Sequence, residues 1–348
     1  MSGGVDSSAA AALLLEQGYE VVGITLKLWP QDCVNRAEDK CCGPQAVADA
    51  RAVCHGLNIP YYLVDEAAEF QTTVIQYFAD EYKAGRTPNP CVMCNQNLKF
   101  GRLIQRADQL GAQFVATGHF ARLERRADGR VLLRRGHDLR RDQSYFLFSL
   151  RQNQLARAMF PLGEKTKSDT REVARHCRLK TADKAESMEI CFVPDNDYGK
   201  FLRQANLAQK HRGEIVDLRG RVLGQHDGVE FYTIGQRRGL GISSPNPLYV
   251  IELDAAANRV VVGDQSALER DEFTADRCNW IPFDRPSGQM EATVKIRYNH
   301  PGTAATVTPL GDGQARVKLH AAQRAITPGQ AAVFYQDDLV VGGGWIIR

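Results

Sequence analysis

Along the first half of the chain the apolar positions alternate between two periods. The block "VDSSAAAALLLEQ" predicts a helix from about Val5 to Gln17, with Gly18 closing it. "YEVVGITLKLW" is rich in β-branched residues and predicts a buried strand. "PQAVADARAVCHGLN" then sets Val47, Ala50, Val53, Cys54 and Leu57 at helical spacing. "IPYYLVD" predicts a strand, "FQTTVIQYFADEYKAG" and "LKFGRLIQRADQLG" predict helices, and "QFVATGH" predicts another strand. Strands alternating with helices imply crossover connections and a parallel sheet covered on both faces. "ARLERRADGRVLLRRG" predicts a hairpin closed at Asp128-Gly129. From about Gly213 the pattern changes to short alternating runs bounded by Gly, Pro, Asn or Asp, such as "PLYVIELDAAANRVVVG" and "EATVKIRYN". The C-terminal stretch predicts a small antiparallel β-barrel or sandwich. The expected division is therefore an α/β domain over 1–200, a small, mostly β central domain over 201–268, and a β-barrel over 269–348.

Composition narrows the class. With 348 residues the chain exceeds one ordinary core. At 43% hydrophobic and 24% charged it reads as globular, and no apolar run is long enough to cross a membrane. Nine cysteines, an odd number with no secretory leader in view, argue for thiol, metal or redox chemistry in a reducing cytoplasm rather than a disulfide framework. A formal charge of +3 does not announce nucleic acid, so any such reading rests on local clustering. One cluster stands out: eight arginines lie between Ala121 and Arg141, against Glu124, Asp128 and Asp138. A solvated face explains any one of them, whereas the group favours contact with a nucleic-acid backbone.

The chain opens "MSGGVDSS". This is not a Walker A loop, which would end in Gly-Lys-Ser/Thr. Its glycines let the backbone approach a ligand, and its amides and hydroxyls, with a helix behind them, suit pyrophosphate. The string resembles the pyrophosphate loop (PP-loop) of the ATP pyrophosphatase superfamily, whose members cleave ATP between the α- and β-phosphates to adenylate a carbonyl oxygen. The resemblance implies an adenine-nucleotide α-hydrolase-like fold, with ATP and Mg²⁺ as the reacting pair. It assigns Ser2, Gly3, Gly4, Val5, Asp6 and Ser7 to the phosphates and Leu26 and Gly118 to the adenosine. In that superfamily a short apolar strand precedes the loop, so an in-frame apolar segment is expected upstream of Met1.

The next informative string is "TPNPCVMCNQNLKF". Its prolines favour an extended loop, and Cys94 is expected near a helix N-terminus, where a thiolate is favoured. Cys91 and Cys94 fit half a zinc site, but no second C-x-x-C completes it and Cys41-Cys42 is a poorer chelating pair. A thioredoxin-like pair lacks its usual flanks. Cys191, in "SMEICFVP", by itself reads as a buried strand cysteine.

Taken with "ATGHFAR", "RDQSYFLFSL", "TIGQRRGLGI" and "VKIRYNHPG", these strings resemble the bacterial tRNA-specific 2-thiouridylases over essentially the whole chain. That family converts the wobble uridine of the lysine, glutamate and glutamine tRNAs to 2-thiouridine. The resemblance implies that Cys191 carries a persulfide, and that Cys94 attacks it and is left in a Cys94–Cys191 disulfide. It places Asn89, Pro90 and the residue at 91 on the target base. It marks His119, Arg141, Asp142, Gln143, Arg297, Tyr298 and Gln330 as tRNA contacts. A cysteine desulfurase or a sulfur-relay protein would supply the persulfide. Many relatives carry aspartate where this chain has Cys91. Three cysteines (Cys91, Cys94 and Cys191) therefore also admit an iron–sulfur cluster, the less favoured mechanism. Two other readings stay open on the residues alone. One is an adenylating synthetase or amidotransferase for a small molecule, which needs neither Cys94 nor Cys191. The other is a non-catalytic zinc or iron–sulfur RNA-binding protein, which leaves "SGGVDS" unexplained.

Overall fold

The computed structural model describes residues 1–28, 43–184, 190–193, 197–208 and 210–347. The expected cysteines at 41 and 42 lie outside the described residues. The chain divides into two compact units: Met1–Val74 with Cys91–Asn196 and Asp338–Val340, and Ile75–Pro90 with Asp197–Asp337 and Val341–Arg348.

The first stretch holds α1 (Val5–Glu16), β1 (Gly23–Lys27), α2 (Pro44–Gly56) and β2 (Tyr61–Asp65). Helix α1 forms where the alanine run allows it, and its residues Ala9 to Leu14 are buried. Gly18, at φ +84°, ends it in the left-handed conformation that favours glycine. Val5 and Ala12 pack with Val53 of α2 and with Ala174 beyond. β1 and β2 run parallel, Gly23 opposite Tyr61. β1 is shorter than the predicted strand because its partner begins only at Tyr61, leaving Tyr19 exposed. β2 is less covered than expected: Tyr62 and Leu63 are exposed.

Next come α3 (Ala67–Phe70), a π-helical stretch Gln71–Ile75, and α4 (Gln76–Lys83). They form the predicted helix with a widened middle. α5 (Pro90–Met93) runs into a second π-helical stretch, Cys94–Arg102, and then α6 (Leu103–Gln109). β3 (Val115–Ala116) is the short remnant of the predicted "QFVATGH" strand. β4 (Ala121–Arg125) and β5 (Val131–Arg135) form the predicted hairpin. Its turn is closed by Arg126 N–H to Arg130 O at 2.9 Å, with Gly129 at φ +84°. α7 (Gln152–Arg157) leads to β6 (Ala158–Met159), which pairs in parallel with β3. α8 (Lys167–His176) starts on a Thr166/Asp169 capping box, whose hydrogen bonds hold the Asp169 carboxyl below its usual range.

After α9 (Tyr198–Gln204) the chain is β-rich, as its alternating runs require. β7 (Gly213–Asp217), β8 (Val222–His226), β9 (Tyr249–Asp254) and β10 (Arg259–Gly263) form a four-stranded sheet in the order β8-β7-β10-β9. β11 (Glu269–Trp280), β12 (Met290–Lys295), β13 (Thr303–Leu310), β14 (Gln314–Arg324), β15 (Ala331–Gln336) and β16 (Leu339–Ile346) follow. Their order β11-β14-β13-β12-β15-β16 closes on itself through β11–β16 pairing. This barrel leaves no open edge. Its interior is filled by alternate residues, including Phe273, Val294, Val307, Val317 and Phe334.

Candidate functional site

The "SGGVDS" stretch is a tight loop feeding α1. Gly3 adopts φ +69°, and a Cβ there would stand 2.2 Å from the Ala46 carbonyl oxygen. Only glycine fits, on both counts. Gly4 is the extended N-cap residue and, having no side chain, offers no side-chain cap to the helix. Among the described residues the amides of Gly3 and Gly4 donate to no acceptor. The Ser7 hydroxyl accepts from Ser2 N at 3.1 Å and donates to Gly4 O at 3.1 Å, which fixes the turn. Open amides at the start of a helix suit an anion such as pyrophosphate. Thr25 of β1 donates to Met1 O at 2.7 Å, and the Met1 amino group bonds Ile24 O. Leu26, assigned by resemblance to adenosine, is half-buried on β1.

Gly118 meets this loop directly. A Cβ on it would lie 2.7 Å from the Asp6 carbonyl carbon. Two residues so far apart in sequence, and joined only by the resemblance, are thus in van der Waals contact. Two lysines that the sequence reading missed also converge here. Lys167 Nζ sits 2.6 Å from Asp6 Oδ1. Lys184 Nζ donates to Gly3 O at 3.2 Å and to Asp49 Oδ2 at 2.6 Å. Burial works against the Asp49 carboxylate, but the hydrogen bonds from Lys184 and Gln45 win and hold its pKa below the usual range. The capping threonine at 166 just before Lys167 was the one local signal that a helix start lies there.

The cysteine segment departs from expectation. Pro90 opens α5 itself, as its fixed φ permits, so Cys91 lies in the first turn and Cys94 one turn in. The π-helical stretch is held open by Gln154, whose amide donates to the carbonyls of Gln96 (2.9 Å) and Phe100 (2.7 Å). Asn95 donates to Phe146 O at 3.0 Å, and its own amide oxygen is buried without a partner among the described residues. Burial pushes the Cys91 thiol up to about 11, with Cys94 adding to the rise and Lys99 opposing it. Cys91 is therefore a neutral thiol near pH 7. Cys94 and Cys191 are half-buried and not joined in a disulfide. Among the described residues no three His, Cys, Asp or Glu side chains come together to hold a metal.

The residues marked for tRNA divide sharply. His119 is buried against Phe100 and Phe160 and shares a 2.6 Å hydrogen bond with Thr117 Oγ1. Burial, helped by Lys99, lowers its pKa well below the usual value, so it is neutral. Asp142 is buried and accepts from Gly136 N, Ser144 N, Ser144 Oγ and Arg135 Nε. Gln143 Oε1 accepts from Phe120 N at 3.1 Å. All three side chains are held by partners within the protein. Arg141 stays half-exposed. The arginine hairpin is likewise internally paired: Arg122 and Arg134 both reach Asp338, Arg134 also holds Glu124, and Arg135 holds Asp142. Exposed Arg140, in the loop after the hairpin, makes no ion pair among the described residues. In the barrel unit Arg297 is exposed, and Tyr298 lies 5.6 Å from Lys295 Nζ. Gln330 gives both amide hydrogens to the Thr87 and Pro88 carbonyls, at 3.2 Å each.

Comparison with known proteins identifies the family. Residues 1–195 match the tRNA methyl transferase HUP domain family, residues 199–264 its PRC-barrel domain, and residues 270–346 the aminomethyltransferase beta-barrel domain. A tRNA-specific 2-thiouridylase MnmA of Geotalea uraniireducens is 50% identical over 99% of this chain and 93% of its own length. Similar proteins of that name from Heliobacterium modesticaldum (50% identical, 100% of this chain, 91% of its own) and Moorella thermoacetica (50%, 99% and 98%) match equally well. The chain belongs to the family of tRNA-specific 2-thiouridylases.

Proposed function

We propose that this protein is a tRNA-uridine 2-sulfurtransferase that thiolates the wobble uridine of the lysine, glutamate and glutamine tRNAs. The observation that carries the reading is the loop of open Gly3 and Gly4 amides, with Gly118 against Asp6 and with Lys167 and Lys184 alongside. It is shaped for a pyrophosphate leaving group, and the same unit carries Cys94 and Cys191. Uracil O2 would attack the α-phosphate of ATP, and pyrophosphate would depart into the loop, where Lys167 and Lys184 would meet its charge; Mg²⁺, when bound, would supply further charge neutralisation there. With AMP carried on O2, C2 then has AMP as a leaving group. The terminal sulfur of a Cys191 persulfide attacks C2 and expels AMP, giving a C2–S–S–Cys191 link. Cys94, as thiolate, attacks the Cys191 sulfur, releasing the 2-thiocarbonyl and leaving a Cys94–Cys191 disulfide. An external dithiol takes up the two electrons' worth of oxidation and resets the pair. Asn89, Pro90 and Cys91 would face the flipped base, which an unpaired anticodon loop yields at a cost of roughly a few kcal/mol. Arg141, Arg297 and Tyr298 are the contacts proposed for the RNA. Residues 1–200 would carry the chemistry, with 201–268 and 269–348 holding the tRNA body. A cysteine desulfurase or relay protein of the cytoplasm would load Cys191. The test is release of pyrophosphate that depends on both ATP and tRNA. A small-molecule adenylating enzyme would show no such dependence on tRNA.

A further inference from the structure

The loop ahead of the cysteine helix has a backbone problem. In "TPNP" (87–90) neither Pro88 nor Pro90 has an N–H, so only Thr87 and Asn89 can donate from the backbone. Its carbonyls still need donors, because Pro88, Asn89 and Pro90 are buried. Donors to Thr87 O and Pro88 O come from one turn of the barrel unit, Thr327 to Gln330. Gln330 Nε2 donates to Thr87 O and Pro88 O at 3.2 Å each, and Thr87 N donates to Pro328 O at 2.8 Å.

That turn is itself fixed. Gln330 N donates to Thr327 O at 3.2 Å, Gln330 O accepts from Ile346 N at 2.9 Å, and Gly329 N donates to Ile346 O at 2.8 Å. Gly329 stands at φ +88°, and a Cβ on it would come within 2.8 to 2.9 Å of Thr87 O, Thr87 N and Arg86 Cβ. Glycine is thus required for the close approach. On the other side of Thr87, Arg86 forks the Glu81 carboxylate at 2.7 and 2.6 Å. The loop is clamped from both ends just before Pro90 opens the helix that carries Cys91 and Cys94.

We propose that Gln330 is a positioning residue: its carboxamide fixes the 87–90 loop, and through the continuous chain it sets where the cysteine helix starts. This role deepens the thiolation reading above and rests on it. Both hydrogens of the Gln330 amide are already committed to protein carbonyls. A residue in that state orders the loop and does not read RNA with its donors.

The test compares wild type, Gln330→Met and Gly329→Ala. Methionine keeps the length and bulk of glutamine but donates nothing. Alanine at 329 pushes on Thr87 with the Gln330 amide intact. Hydrogen exchange in the peptide spanning Ala84 to Met93 is measured without ATP or tRNA, and kcat and KM for tRNA are measured in the thiolation assay. Loss of two neutral hydrogen bonds should speed exchange at Thr87 by about tenfold or more. kcat should fall by a similar factor with the KM for tRNA within about twofold, and Gly329→Ala should reproduce both changes. A raised KM with unchanged kcat and unchanged exchange would make Gln330 an RNA contact and overturn the proposal. Unchanged exchange with wild-type kinetics would overturn it as well. If exchange quickens but wild type itself does not thiolate tRNA, the function reading fails and the catalytic part of this role falls with it.

Discussion

Gly118→Ala is the sharpest probe of the nucleotide site, because its effect follows from contact distances. A Cβ on residue 118 would stand 2.7 Å from the Asp6 carbonyl carbon and 2.9 Å from both its Cβ and its oxygen. Ordinary contact begins near 3.4 Å, so Asp6 or residue 118 must retreat by roughly 0.5–0.7 Å. Asp6 cannot yield cheaply. It lies in the first turn of α1, whose Ala9 is fully buried and packs with Phe120 and Leu162. Overpacking of this kind costs about 1–3 kcal/mol. If the loop moves instead of the core, ATP binding bears the strain, at about tenfold for each 1.4 kcal/mol. The assay is tRNA-dependent pyrophosphate release over a range of ATP concentrations, beside urea unfolding of the same protein. Expected is an ATP KM raised by about tenfold or more, or a matching loss of stability, with persulfide loading of Cys191 unaffected. Wild-type KM together with wild-type stability would show that Gly118 does not abut the loop.

Gly3→Ala should be harsher, since positive φ adds about 1–2 kcal/mol to the collision with Ala46, and urea unfolding checks it. Arg135→Ala strips a partner from the buried Asp142 carboxylate and should cost about 3 kcal/mol in urea unfolding, whereas a pure RNA contact would cost nothing there. Asp338→Ala, which frees half-exposed Arg122 and Arg134, should cost only about 1 kcal/mol in the same measurement. His119 has its folded pKa depressed by burial, so the unfolded chain binds the extra proton. Its contribution is full above the unfolded pKa of about 6.5 and is lost as pH falls below it, and His119→Asn should flatten that fall in a pH series of urea midpoints.

Local pattern carried the elements whose stability is local or periodic. The alanine run of α1, the hairpin turn at Asp128-Gly129 and the alternation in β14 each specify a conformation within a few residues. The closed barrel follows from such alternation repeated. What the sequence hid depends on partners far along the chain. The π-helical turns at Cys94–Arg102 are supported by Gln154, and no local signal announces that side chain. Lys167 and Lys184 reach the loop from more than 160 residues away. For the arginine cluster the sequence shows the charge but not the pairing. Asp338, which neutralises Arg122 and Arg134, lies about 200 residues downstream. The helix start was misplaced by a few residues because Pro90 suits a loop and a first helical turn equally well. Gln330 was picked out by resemblance alone, and the Thr87 and Pro88 carbonyls give it a physical role.

The central claim is that ATP-dependent sulfur transfer to uridine runs through Cys94 and Cys191 and not through a cluster that also needs Cys91. Its most direct test is mass analysis of the wobble nucleoside after tRNA is incubated with ATP, Mg²⁺ and a persulfide donor. Wild type, Cys91→Ser, Cys94→Ser and Cys191→Ser are compared. Wild type and Cys91→Ser should both yield uridine with sulfur in place of one oxygen, at similar rates, because the Cys91 thiol is held neutral. Cys94→Ser and Cys191→Ser should yield none. Loss of the product in Cys91→Ser, or its persistence in Cys94→Ser or Cys191→Ser, would contradict the two-thiol mechanism.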